Sequence, residues 1–119
     1  KPWYFADFLP TAVDIAGGQI PADIDGLSIL PALKGEEQGA LEERFLYWEH
    51  FSGEFKQAVR YKKWKAVRFG LEAELELYNL NQDIGEENEV SDQYPEIVKK
   101  IEKYLQNCRT PSENWPVKL

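Results

Sequence analysis

The stretch that constrains this chain most runs Gln57-Ala58-Val59-Arg60-Tyr61-Lys62-Lys63-Trp64-Lys65-Ala66-Val67-Arg68. Apolar and polar residues alternate on both sides of Lys62-Lys63, the period of two that sends successive side chains to opposite faces of a strand. Two such segments joined by two residues predict an antiparallel hairpin, although neither lysine is the Gly or Asn that so tight a turn prefers. The same alternation accounts for the charge. Lys56, Arg60, Lys62, Lys63, Lys65 and Arg68 crowd together in a chain whose net charge is −7. With Val59, Tyr61, Trp64, Ala66 and Val67 supplying a buried face, most of these bases become the polar half of an ordinary hairpin. The alternative is that Arg60 or Lys65, held on rigid sheet, faces an anion at the edge of a cleft.

A strand before the hairpin is read in the aromatic run Phe45-Leu46-Tyr47-Trp48, and a fourth over about Glu74 to Leu80, after which Asn81-Gln82-Asp83-Ile84-Gly85 turns the chain away. A meander of this kind exposes one face unless a helix covers it. Tyr94 to Leu105 supplies one, with Pro95 and Glu96 at its start and Ile97, Val98, Ile101, Tyr104 and Leu105 on one stripe. The fold class expected is therefore α+β: a small four-stranded antiparallel sheet packed against a C-terminal helix, with an N-terminal helical segment. That segment lies between Asp7 and the Gly17-Gly18 pair, where Phe5, Phe8, Leu9, Ala12, Val13 and Ala16 recur at helical spacing as a stripe in want of a covering neighbour. Pro31 and Gly35 allow only a turn or two of helix around Leu27 to Leu33, and 36–43 reads as a polar link. The tail holds Trp115, too large to leave in water, and is expected to lie back on the domain.

By length, 119 residues make one domain. We divide it into a helical and loop connector over 1–40 and a sheet plus helix over 41–119. No apolar run nears the roughly 20 residues that span a bilayer, so a soluble chain without a membrane partner is expected. The acidic balance argues against nucleic acid.

Few residues suit chemistry. His50 is the only histidine, so any triad or imidazole metal site would be built around it; it follows an aromatic strand, where sites tend to collect, with Glu49 and Glu54 beside it. A satisfied histidine at a strand end is the plainer reading. Cys108, the only cysteine, falls at a helix C-terminus, where the dipole raises a thiol pKa, and is read as a bystander. The carboxylate runs at 72–76 and 86–89 are read as solvated.

Taken in order, "FADFLPTAVDIAGGQIPADIDGLSILPALKG", "FLYWEH", "QAVRYKKWKAVR", "ELYNLNQDIGEENEV" and "YPEIVKKIEKYL" resemble the C-terminal subdomain of the formylglycine-dependent sulfatases, the arylsulfatase and N-acetylgalactosamine-6-sulfatase type. Each motif alone is weak; the ordered set, covering nearly the whole chain, is specific. The Lys62-Lys63 turn departs from the Gly-containing turn of relatives. The resemblance implies docking against the protein's own N-terminal, alkaline-phosphatase-like catalytic domain. That absent domain would carry Ca2+ and the formylglycine whose hydrate attacks sulfur in a sulfate ester. The activating C/S-x-P-S-R signature is missing here: Cys108-Arg109-Thr110-Pro111-Ser112 has its proline one place late and no arginine after Ser112. The resemblance thus implies no catalytic residue, metal ligand or cofactor in this chain, which is expected to be inactive alone. It implies a sulfated carbohydrate as substrate, His50, Glu49 and then Arg60 as the residues that touch it, and a periplasmic or secreted parent. Burial of those three at an interdomain seam is the competing reading. A different class, an independent carbohydrate-binding module, would use Trp48, Tyr61 and Trp64 as a stacking platform.

Overall fold

The computed structural model describes residues 1–117, Ser52 by its backbone alone. The chain divides into two compact units, Lys1–Leu46 and Tyr47–Leu119.

In the first unit a 3-10 turn at Phe5–Asp7 leads into helix α1, Phe8–Ile15. Two short helices follow, α2 at Leu30–Leu33 and α3 at Gly39–Glu43. The last lies inside the segment expected to be a polar link; Leu41, buried at 3% exposure, gives it an anchor that composition did not suggest. The larger departure concerns α1. Among the described residues most of its expected stripe is uncovered: Phe5, Phe8 and Leu9 are 89%, 64% and 51% exposed, Ala12 and Ala16 are exposed and Val13 is half-buried, and Ile15, outside the expected stripe, is 63% exposed, while the buried side is Asp7, Pro10 and Thr11.

Hydrogen bonds hold that buried side. The Thr11 hydroxyl donates to the Asp7 carbonyl at 2.6 Å and accepts from the Ile29 N–H at 3.0 Å. The Asp7 carboxylate takes the N–H groups of Tyr4 and Leu27 at 3.0 and 2.9 Å and both terminal nitrogens of Arg44 at 2.7 and 2.6 Å. Bidentate pairing of this kind offsets the cost of sealing a carboxylate from water. Burial by itself would raise the Asp7 pKa, but Arg44 and the two N–H groups outweigh it and hold the carboxyl below its ordinary 3.8. Gly26 lets the loop approach: a Cβ there would lie 1.9 Å from the Ala6 carbonyl oxygen.

The four strands are β1 at Phe45–Ser52, β2 at Glu54–Tyr61, β3 at Trp64–Phe69 and β4 at Glu76–Asn79, hydrogen-bonded in the order β1-β2-β3-β4. The β1–β2 turn is Gly53 at φ 80°, a left-handed value that suits glycine. Between β2 and β3 the chain manages without one: Lys62 itself takes φ 53°, and the pairs Tyr61↔Trp64 through Lys56↔Phe69 fix the register. Helix α4, Pro95–Leu105, buries Ile101 and Leu105. The second unit's core comprises Phe55, Val59, Tyr61, Trp64, Ala66, Leu75 and Leu77 with those two helix residues. One member of the expected buried face is corrected. Val67 is only half-buried, because it shares parity with Lys65 and not with Ala66. The tail is tied back by its backbone, the Trp115 carbonyl accepting from Arg109 at 2.5 Å, yet the Trp115 side chain stays 42% exposed.

Candidate functional site

Sheet parity separates the three residues read as substrate contacts. On β2, Phe55, Gln57, Val59 and Tyr61 point to one face, buried, and Lys56, Ala58 and Arg60 to the other, half-buried. His50 joins the second set: with Trp48 it flanks a shallow groove of about 210 Å³ whose floor is the registered pair Ala58 and Val67 and whose far side is Lys56 and Phe69. His50, Trp48 and Phe69 are exposed. Arg60 shares that face and opposes Lys65 in the register. Lys65 pairs with Glu86 at 2.5 Å, whereas the buried Nε of Arg60 has no hydrogen-bond partner among the described residues.

Glu49 turns the other way. Its carboxylate is held by Arg109 Nε at 2.9 Å and accepts from the Tyr47 hydroxyl at 2.7 Å. The chain of bonds continues, Gln57 Nε2 donating to the Tyr47 oxygen at 3.0 Å and Arg68 donating to Gln57 Oε1 through Nε at 3.1 Å and through Nη2. Burial pushes the Tyr47 phenol well above its ordinary 10, and the Glu49 carboxylate raises it further against the opposing Gln57 amide, so this hydroxyl stays a donor at neutral pH. The network Arg68-Gln57-Tyr47-Glu49-Arg109 was not legible in the sequence, because it joins three strands and the tail. Its signal, in retrospect, is the polar Gln57 at a core parity between Phe55 and Val59.

A stacking platform of Trp48, Tyr61 and Trp64 does not exist. Tyr61 and Trp64 are 5% exposed, Trp64 lying 4.5 Å from the Tyr94 ring, and Trp48 is the only one of the three at the surface. Cys108 is half-buried, and burial leads the causes that push its thiol above the ordinary 9. Among the described residues no group of three or more His, Cys, Asp or Glu side chains could hold a metal ion. Nor is any helix among them long and apolar enough to cross a membrane.

Comparison with known proteins fits this layout. The family model described as N-sulphoglucosamine sulphohydrolase, C-terminal, matches residues 5–111. A sulfatase of Formosa agariphila is 30% identical over 92% of this chain and 24% of its own length. The solved structure of a 2-O GAG sulfatase superposes with a TM-score of 0.72 at 27% identity, over 86% of this chain and 23% of that one. A sulfatase solved with its substrate D-glucosamine-2-N,6-O-disulfate gives 0.70 at 25% identity, over 86% and 23%. The chain thus spans about a quarter of the length of these relatives.

Proposed function

This chain belongs to the family of N-sulphoglucosamine sulphohydrolase C-terminal domains, and from that membership we propose that it completes a larger enzyme that hydrolyses sulfate esters of sulfated carbohydrates. In this reading the nucleophile, as formylglycine, and a Ca2+ ion belong to an N-terminal catalytic domain, and the parent is periplasmic or secreted. No step of the reaction is assigned to this chain. Its work is to dock and to position.

The observation that carries the reading is the uncovered apolar surface of α1 and the turn before it, with Phe5, Phe8, Leu9 and Ile15 all more than half exposed. Four large side chains in water, one on the 3-10 turn and three on the short helix after it, form a patch that soluble monomers rarely leave open, and a catalytic domain is the partner that would cover it. The half-buried face bearing His50 and Arg60 is the second contribution. An exposed imidazole and a guanidinium on one face suit a sulfated sugar better than Glu49 does, since Arg109 already neutralises that carboxylate.

The test is steady-state kinetics of the complete enzyme on a sulfated disaccharide. His50→Ala and Arg60→Gln should raise KM by about tenfold each, the scale of one charge-assisted hydrogen bond, with kcat much less affected. Unchanged KM in both variants sinks the substrate-contact role. Turnover by this chain alone would show that a nucleophile lies within it.

A further inference from the structure

On the α4 side of the sheet the polar network faces a cavity of about 690 Å³, within the range of small-molecule sites. Arg68 and Arg109 both line it, with the apolar walls Phe55, Leu71 and Leu105, and Gln106 at the helix end. Each guanidinium is already fixed: Arg68 grips buried Gln57, and Arg109 grips Glu49 and the Trp115 carbonyl. Neither Nη1 group has a hydrogen-bond partner among the described residues. Two restrained forks with spare donors, beside an apolar wall, match an oxyanion carried on a ring that has an apolar face. Glu102 also lines the cavity and disfavours a ligand of high negative charge.

We propose that this cavity binds one acidic sugar unit, its sulfate or carboxylate held between Arg68 and Arg109 and its ring against Phe55 and Leu105. Gln57 and Arg68 border the His50 groove as well, but by strand parity their side chains point to the face opposite that of Arg60. Within a sulfatase it would hold a part of the glycan other than the ester being cleaved.

The experiment titrates the full chain with N-acetylglucosamine 6-sulfate, glucuronic acid, N-acetylglucosamine and inorganic sulfate, following the arginine Nε–H signals by NMR. At least one acidic sugar should shift the Arg68 and Arg109 signals saturably and bind about tenfold or more tightly than the neutral sugar and inorganic sulfate. The tighter of the two identifies sulfate ester or carboxylate as the group read. Arg68→Gln should weaken binding about tenfold. Because it also disturbs Gln57, Gln106→Trp is the second variant: it fills the cavity from an exposed helix end, leaves the network intact and should abolish the shifts. Equal binding of the neutral sugar, inorganic sulfate binding as well as either acidic sugar, shifts confined to the Trp48 and His50 signals, or full binding by Gln106→Trp would overturn the proposal. None of these outcomes bears on the KM test of His50 and Arg60.

Discussion

The two units solve the same problem in opposite ways. Tyr47–Leu119 buries apolar side chains between a sheet and one helix, with Leu77 and Ile101 both at 0% exposure. Lys1–Leu46 seals a charged pair instead, Asp7 with Arg44, and leaves much of its apolar surface outside. The first unit buries Ile29, Leu41 and Leu46 with Pro10 among its apolar side chains and adds polar bonds to them, whereas the second has a continuous apolar core.

Removing one half of the buried pair should separate the two units most. Arg44→Met leaves the Asp7 carboxylate buried without its cation and should cost about 3–5 kcal/mol. Hydrogen exchange would register the loss at Leu27 and Ile29, whose N–H groups are bound by Asp7 and Thr11, while the amides of β2 and β3 keep their protection. Loss across both units alike would mean that they fold as one. In the other unit Ile101→Ala should cost about 2–5 kcal/mol through the cavity it opens, read as a lower denaturation midpoint, with exchange rising first in the sheet.

Acid should separate the units as well. The Asp7 pKa is depressed in the folded chain, so its contribution is fully present above the ordinary value of 3.8 and is lost as pH falls through the lower folded value. Asp7→Asn, measured by urea unfolding from neutral pH down to about pH 2, should flatten that part of the decline although it lowers stability at neutral pH. The smallest effect is expected at the exposed stripe. Phe5→Ser and Phe8→Ser should change stability by less than about 0.5 kcal/mol in this chain. A loss of several kcal/mol would show that these rings are core, and would remove the observation on which the docking proposal stands.

Most of the second unit was legible. The alternation from Gln57 to Arg68 gave the hairpin, and the stripe Ile97, Val98, Ile101, Tyr104 and Leu105 gave the covering helix. Val67 was misplaced because the adjacent apolar pair Ala66-Val67 blurs parity, and the register resolves it. The first unit was legible as helix and loop but not as packing. A helical stripe identifies an apolar face; it does not say whether the covering surface lies in the same chain.

For the candidate site the division is similar. His50, Glu49 and Arg60 could be picked out by type, but that His50 and Arg60 share a face while Glu49 turns to Arg109 follows from strand parity and the path of the tail.

What the sequence determined by itself is the periodicity: which segments are strands, which are helices, and which residues alternate. These depend on neighbours two to four positions away, and the chain carries that information locally. The tertiary structure alone decided the partners of the charges, Asp7 with Arg44 across 37 positions and Glu49 with Arg109 across 60. A charged side chain has no periodic signature, and its partner is whichever opposite charge the folded backbone brings within a few ångströms.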